Sequence, residues 1–229
     1  MVPTNPYSAS KAAAECLVRG FSFSFRLPSI VVRPNNVFGP SQWPEKLIPK
    51  SIALFSQGKA FPVHGDGLNT RSFLYVEDVV NAFDVIMRKG ECFQTYNISQ
   101  PQEKSNLEVL KSVLVALGKA DSVDSVDLKD PRFFQYVKDR AFNDKSYLTT
   151  SLRLEALGWS VQTSWEEGIA ETVKWYLSHP EHFGDVSDAL QAHYGCLSKQ
   201  LPAIASEDGV VHAEKLLPQF RKFAEGKKF

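Results

Sequence analysis

Two residues near the start of the chain could do proton chemistry together: Tyr7 and Lys11. They lie in Thr4-Asn5-Pro6-Tyr7-Ser8-Ala9-Ser10-Lys11-Ala12-Ala13-Ala14-Glu15. On a helix, residues four apart share one face. An ammonium beside a phenol favours the phenolate and lowers its pKa. A phenol so tuned can take or give a proton near neutral pH. The same spacing also suits an ordinary amphipathic pair, so it does not decide the matter alone. Asn35 and Asn36 are the next candidates, in Pro34-Asn35-Asn36-Val37-Phe38-Gly39-Pro40. A loop at the C-terminal end of a buried strand is where open α/β sheets bind ligands. Asn and Gly are equally common as plain turn residues.

The elements that must position these residues can be read locally. Asn5 suits an N-cap, and Pro6 suits the first helical position, where a missing N–H costs nothing. Three alanines favour helix, which the pattern extends from Pro6 to about Phe25, ending at Leu27-Pro28. Ser29-Ile30-Val31-Val32-Arg33 reads as a buried strand. Pro44-Glu45-Lys46-Leu47-Ile48-Pro49 leads a short helix through Phe55. Phe61-Pro62-Val63-His64 is a strand, Gly65-Asp66-Gly67 a turn, and Phe73-Leu74-Tyr75-Val76 a strand. A helix follows over Val79 to Arg88, with Glu77 and Asp78 at the end the macrodipole favours for acids. Tyr96-Asn97-Ile98-Ser99 is a short strand, and Asn106 opens a helix over Leu107 to Leu117, stopped by Gly118. Residues 120–130 read as a polar loop, 136–140 as extended and 141–147 as a loop. Ser151 to Leu157 is helical, and Ser164-Trp165-Glu166-Glu167 resembles a capping box. The helix it opens spaces Ile169, Val173 and Tyr176 for one buried face. From about Val186 the pattern weakens into a tail. Alternating strands and helices make this an α/β chain.

Composition narrows the function classes. The 229 residues are 43% hydrophobic and 23% charged, enough apolar material for a real core. Formal net charge is zero, so bulk affinity for nucleic acid or acidic membranes is not expected. No apolar run is long enough to span a bilayer, and the start has no signal-peptide pattern. Cys16, Cys92 and Cys196 have no metal-ligand spacing, and an odd, sparse set fits a reducing, cytoplasmic setting.

The order of motifs says more than any single one. Tyr7-x-x-x-Lys11, Arg33-Pro34-Asn35-Asn36-Val37-Phe38-Gly39-Pro40 and Pro44-Glu45-Lys46-Leu47-Ile48-Pro49 come in turn. They are followed by His64-Gly65-Asp66-Gly67, Arg71-Ser72-Phe73-Leu74-Tyr75-Val76-Glu77-Asp78 and Tyr96-Asn97-Ile98. Later come Asp139-Arg140-Ala141-Phe142-Asn143-Asp144 with Tyr147, Leu157-Gly158-Trp159 and Trp165-Glu166-Glu167-Gly168-Ile169. To about Leu190 this series resembles the nucleotide-sugar 4,6-dehydratases, which are extended short-chain dehydrogenase/reductases. Asn143 and the Gly184 to Leu190 run look most like the UDP-glucose enzymes of rhamnose-synthase type, with the dTDP-glucose enzymes next. Tyr-x-x-x-Lys is common to the superfamily; Pro-Glu-Lys-Leu is specific to the dehydratase branch. A non-catalytic sugar-nucleotide-binding protein and another extended reductase or 4-epimerase are the alternatives.

The resemblance implies the C-terminal portion of a Rossmann-type parallel sheet with an interleaved smaller α/β substrate-binding domain. Residues 1–40 and 72–100 would belong to the first, 41–71 and 101–185 to the second, with 186–229 a tail. It implies NAD as cofactor and a nucleotide-sugar, UDP-glucose or dTDP-glucose, as substrate. In the family, NAD takes a hydride from C4 of the glucose, water leaves across C5 and C6, and the hydride returns to C6. Tyr7 would be the O4 base; Lys11 would bind the nicotinamide ribose and lower the Tyr pKa, with Asn36 beside the cofactor. Asn35, Lys46, Leu47, Pro62, His64, Arg71, Asn106, Arg140, Asn143 and Tyr147 would line the substrate. Of these, Arg71 and Arg140 would face the diphosphate with bidentate, charge-assisted contacts; a surface ion pair is the other reading of each. His64 stands where the dTDP enzymes usually have Tyr, which leaves the base preference open. No Gly-x-x-Gly-x-x-Gly loop and no Thr-Asp-Glu segment occurs in the sequence. The expectation is therefore the C-terminal part of such an enzyme, with an exposed apolar helix face and strand edge. Full-length members form homodimers partly through the Tyr helix; that is doubtful for these residues.

Overall fold

The computed structural model describes residues 5–139, 146 and 149–192. Helix α1 runs Pro6–Phe25, capped by the Asn5 side chain, which accepts from the Ser8 N–H at 2.9 Å. Strands β1 (Val31–Pro34) and β2 (Asn36–Phe38) follow, then helix α2 (Leu47–Ser56) and strand β3 (Phe61–His64). Next come β4 (Thr70–Tyr75), α3 (Val76–Lys89), β5 (Thr95–Ile98), β6 (Glu103–Ser105) and α4 (Asn106–Ala116). Strand β7 (Phe134–Val137) and helices α5 (Leu152–Glu155), α6 (Trp165–Ser178) and α7 (Ser187–Leu190) complete the series.

The α/β architecture expected from the sequence is present, with corrections of detail. Asn36–Phe38 is a strand rather than part of a loop, because it pairs in parallel with Phe73–Tyr75. Strand β4 begins at Thr70, earlier than Phe73, because Thr70–Ser72 pairs antiparallel with β6, a strand not foreseen. Helix α3 begins at Val76, so Glu77 and Asp78 lie inside its first turn. Helix α4 is capped by Ser105, not Asn106: the Ser105 side chain and Glu108 form a reciprocal capping box. Hydrogen bonding to Ser105 holds the Glu108 carboxyl below its ordinary value. Replacing Ser105 with Ala is expected to cost about 1 kcal/mol, read as a lower denaturation midpoint at unchanged slope.

Strands β1 and β5 form a parallel pair, Val31 opposite Thr95 and Arg33 opposite Asn97. Successive strand residues point to opposite faces. Val32, Tyr96 and Ile98 therefore meet Val79, Ala82 and Ile86 of α3 in one apolar cluster, closed by Leu154 and Trp159. Arg33 and Thr95, on the opposite face, meet α1. The Val31 N–H donates to Gln94 O and the Asn35 N–H to Ile98 O. Val32 consequently turns its N–H and C=O to the other edge of β1, where no described strand pairs. The larger cluster packs α2, α4 and α6 against β3 and β7, through residues such as Phe55, Leu110 and Ile169. The compact unit runs to Gln191. Leu190 packs against this core, and the buried Lys50 ammonium donates to Gln191 O.

Candidate functional site

Helix α1 is fixed to the β1–β5 layer by a polar row. Arg33 Nε donates to Glu15 Oε1 at 2.7 Å and its Nη2 to Glu15 Oε2. Arg19 reaches Thr95 Oγ1 at 3.4 Å, and the Ser22 and Ser29 hydroxyls are 2.5 Å apart. Contacts at 15, 19 and 22 on the helix match levels 33, 31 and 29 on β1, because Thr95 pairs with Val31. The helix is thus antiparallel to the strand. Four helical residues rise ~6 Å and two strand residues ~6.6 Å, so the match persists. Carried one turn further, it sets Lys11 level with Asn35, just past the C-terminal end of β1, and Tyr7 one turn beyond that. The C-terminal end of the strands is the sheet edge where α/β proteins bind ligands.

Tyr7 is 70% exposed, and the Lys11 Nζ lies 5.4 Å from its ring centroid. The pair shares one face, as expected. Asn36 enters β2 opposite Phe73, two residues from Arg71. Asn35 is engaged elsewhere: its Nδ2 donates to Ser99 Oγ at 2.8 Å, and Thr149 Oγ1 donates to its Oδ1 at 3.2 Å. Its amide therefore locks the loop after β1 to the residues after β5.

A second corner forms around the turn at 65–69. Leu107 N–H donates to Gly67 O and Asn106 N–H to Asn69 O. These bonds hold the turn between His64 and Arg71 against the start of α4, where Asn106 stands. Gly67 has φ +72, and a Cβ there would meet Leu107 and Val63 below 3.0 Å, so the close approach requires glycine. His64 Nδ1 lies 3.2 Å from Lys138 O. Arg71 Nη1 donates to Thr70 O at 2.6 Å. Pro62 is buried in β3 opposite Gln135. Lys46 is the N-cap residue of α2, exposed, with its Nζ 3.6 Å from Glu45 Oε1, and Leu47 opens the helix against the core. Arg140, Asn143 and Tyr147 lie outside the described residues. Strands β2 and β4 join the two corners, since Asn36 and Arg71 belong to adjacent strands.

The NAD dependent epimerase/dehydratase family model matches residues 1–99. A trifunctional UDP-glucose 4,6-dehydratase/UDP-4-keto-6-deoxy-D-glucose 3,5-epimerase/UDP-4-keto-L-rhamnose-reductase of Arabidopsis thaliana is 44% identical over 209 residues, 91% of this chain and 30% of that protein. The dTDP-D-glucose 4,6-dehydratase of Homo sapiens is 38% identical over 189 residues, 82% of this chain and 53% of that one. A dTDP-glucose 4,6-dehydratase structure from Bacillus anthracis, in complex with NAD, superposes with a TM-score of 0.70. It is 36% identical, with 79% of this chain and 55% of that chain covered. The chain is a partial homologue of the UDP-glucose and dTDP-glucose 4,6-dehydratases. It spans about a third to a half of the length of these relatives.

In this dehydratase homologue the residues missed by sequence reasoning are the ones that hold the candidates. Glu15 and Arg33 each belong to a motif, but no local signal pairs residues 18 apart. Ser99 and Thr149 are ordinary polar residues until β1 and β5 lie side by side. The Arg33 guanidinium, chiefly by hydrogen bonding, holds the Glu15 carboxyl below its ordinary 4.5, and Glu15 raises Arg33 in turn. A depressed folded pKa contributes stability above the unfolded value, lost as pH falls through the lower folded value. The α1 attachment should therefore weaken below about pH 4.5. Glu15→Gln should remove that dependence and cost about 1 kcal/mol, since the pair is part-exposed. Denaturation midpoints of both proteins between pH 3 and pH 7 would check this.

Proposed function

We propose that this chain carries the oxidation pair and much of the sugar-nucleotide pocket of an NAD-dependent 4,6-dehydratase acting on UDP-glucose, with dTDP-glucose the second candidate substrate. What supports this reading is the α1–β1 register at Glu15, Arg19 and Ser22, whose continuation runs Lys11 and Tyr7 toward the C-terminal end of β1, the end that Asn35 and Asn36 follow. The Pro44-Glu45-Lys46-Leu47 run at the start of α2 favours a dehydratase over an epimerase. Residues 1–40 and 72–100 form the dinucleotide side in this reading, and 41–71 with 101–185 the sugar-nucleotide side.

Each residue has a stated role. Tyr7 accepts the O4 proton of the glucose. Lys11 holds the ribose next to the nicotinamide. Asn36 borders the same end of the cofactor. The exposed phenol and ammonium on one face fit the ribose and nicotinamide end of NAD, whereas no glycine-rich loop in the sequence fits its pyrophosphate. Bound NAD supplies the hydride acceptor for C4. Arg71 meets the diphosphate, His64 and Pro62 flank the base, and Lys46, Leu47 and Asn106 close around the sugar-nucleotide. Arg140, Asn143 and Tyr147, outside the described residues, are assigned to the substrate on the sequence motif alone. Asn35 acts through the loop it locks as well as by any contact of its own.

Two exposures point to a further layer on the dinucleotide side. The outer edge of β1 is unpaired among the described strands, and Leu17, Phe21 and Phe25 of α1 face outward. Parallel sheets are normally covered on both faces and extended at their edges. We therefore expect no turnover from the 229-residue chain alone and weak binding of NAD. Calorimetric titration of UDP-glucose, with and without NAD, tests the proposal. Heat of UDP-glucose binding that Arg71→Ala weakens about 10-fold or more supports it. Absence of binding to either sugar nucleotide contradicts the pocket, and conversion to the 4-keto product by this chain alone contradicts the need for a further layer.

A further inference from the structure

We propose that Tyr176, His182 and Phe183 are positioning residues for the candidate sugar-nucleotide site, fixing the loop Ser41–Trp43 and through it Lys46. The inference rests on the pocket reading given above and adds residues to it.

The loop enters with an unfavourable backbone. Ser41 has φ +61, a left-handed conformation that a residue with a Cβ adopts only when its surroundings hold it there. Three contacts from the end of α6 do so. The Ser41 hydroxyl lies 3.1 Å from His182 Nε2. The Tyr176 hydroxyl donates to Gln42 O. The Trp43 ring meets Phe183 edge-on, with centroids 5.5 Å apart. Gln42 Nε2 in turn donates to Val37 O of β2 at 2.7 Å. The loop is thus tied to both the α6 end and the strand that carries Asn36.

The α6 end is itself a packed aromatic block. His179 stacks on Trp175 at 4.7 Å, and His182 meets the same indole edge-on at 4.9 Å. Phe183 stacks on Tyr176 at 6.1 Å. Burial raises the Tyr176 phenol, so it stays a neutral donor to the loop carbonyl. The relay to the site is a single turn: Lys46 N–H donates to Trp43 O at 3.2 Å, and Lys50 N–H to Lys46 O at 2.9 Å. Helix α2 has no side-chain N-cap. The direction in which Lys46 leaves the helix start therefore depends on the loop before it, and the loop depends on α6.

Amide hydrogen exchange over residues 41–47, together with calorimetric UDP-glucose binding, tests this on the intact chain. His182→Ala and Tyr176→Phe should each speed exchange there about 2- to 10-fold, leave α4 unchanged, and weaken UDP-glucose by a similar factor. His182→Gln, which keeps a side-chain nitrogen at comparable reach, should recover most of both effects. Unchanged exchange in His182→Ala and Tyr176→Phe would overturn the proposal. Faster exchange with unchanged affinity would overturn the positioning role, because Lys46 would then not depend on the loop. A wild-type chain that binds no sugar nucleotide would remove the pocket reading and the positioning role together. It differs from the preceding outcome in showing no heat at all.

Discussion

Tyr7→Phe is expected to lower conversion of UDP-glucose by about 10²- to 10⁴-fold in any active assembly that contains this chain. The fall should appear in kcat, with little change in KM. The phenol is 70% exposed in α1, and no described group other than Lys11 lies against its ring. Removing the hydroxyl therefore removes the proton acceptor without opening a cavity or leaving a buried group unpaired. Stability should stay within about 0.5 kcal/mol of the parent, which separates a chemical loss from a folding loss. Lys11→Met should weaken NAD binding in the same assembly, because the ammonium proposed to hold the nicotinamide ribose is gone. Calorimetric NAD binding of the two variants would distinguish the proton acceptor from the cofactor-holding group.

Asp78→Ala is expected to give the largest loss of stability. Asp78 is 3% exposed. Its Oδ1 accepts from the Gln162 N–H at 2.9 Å and its Oδ2 from the Thr163 N–H at 3.1 Å. Its backbone carbonyl accepts from Trp159 Nε1 at 3.1 Å. Alanine would keep the last contact and take the acceptors from the part-buried Gln162 and Thr163 N–H groups, at about 1 kcal/mol each. It would also remove a negative charge from the first turn of α3, where the macrodipole favours one. A total of about 2–3 kcal/mol follows, a large fraction of an ordinary domain's stability. Asp78→Asn keeps one acceptor oxygen and should lose about half as much. Denaturation followed by tryptophan fluorescence reports the change directly, since Trp159 packs beside this joint.

These two residues differ in how far the sequence exposes their role. Tyr7 is visible because its helix is locally determined: Asn5 caps it, Pro6 fits its first turn and alanines carry it forward. The capping box at Ser164 and Glu167 is legible for the same reason. Asp78 reads only as a favourable acid near a helix start. Its partners lie 84 and 85 residues away and become neighbours through tertiary packing. Strand β6 is hidden likewise. Glu103-Lys104-Ser105 has no strand-like composition, and only pairing with Thr70–Ser72 makes it one. Asn36–Phe38 resembles a turn because Asn and Gly-Pro flank it, yet Phe73–Tyr75 draws it into a sheet. The outward apolar face of α1, with Leu17, Phe21 and Phe25, is as expected, whereas the polar row Glu15, Arg19 and Ser22 that meets the strands is not legible, since Arg33 and Thr95 are distant in sequence. The order of motifs conveys the candidate site residues, while the contacts that hold those residues are long-range and become visible only in the fold.

The central claim is that Tyr7 and Lys11 serve a 4,6-dehydratase. It is tested most directly by supplying this chain with a segment that provides the dinucleotide loop and the elimination acid and base. UDP-glucose carrying deuterium at C4, together with NAD, would then be followed by mass spectrometry and NMR. The account predicts loss of water and a 4-keto-6-deoxy product with the deuterium at C6, abolished by Tyr7→Phe. A 4-epimer formed without loss of water would contradict it.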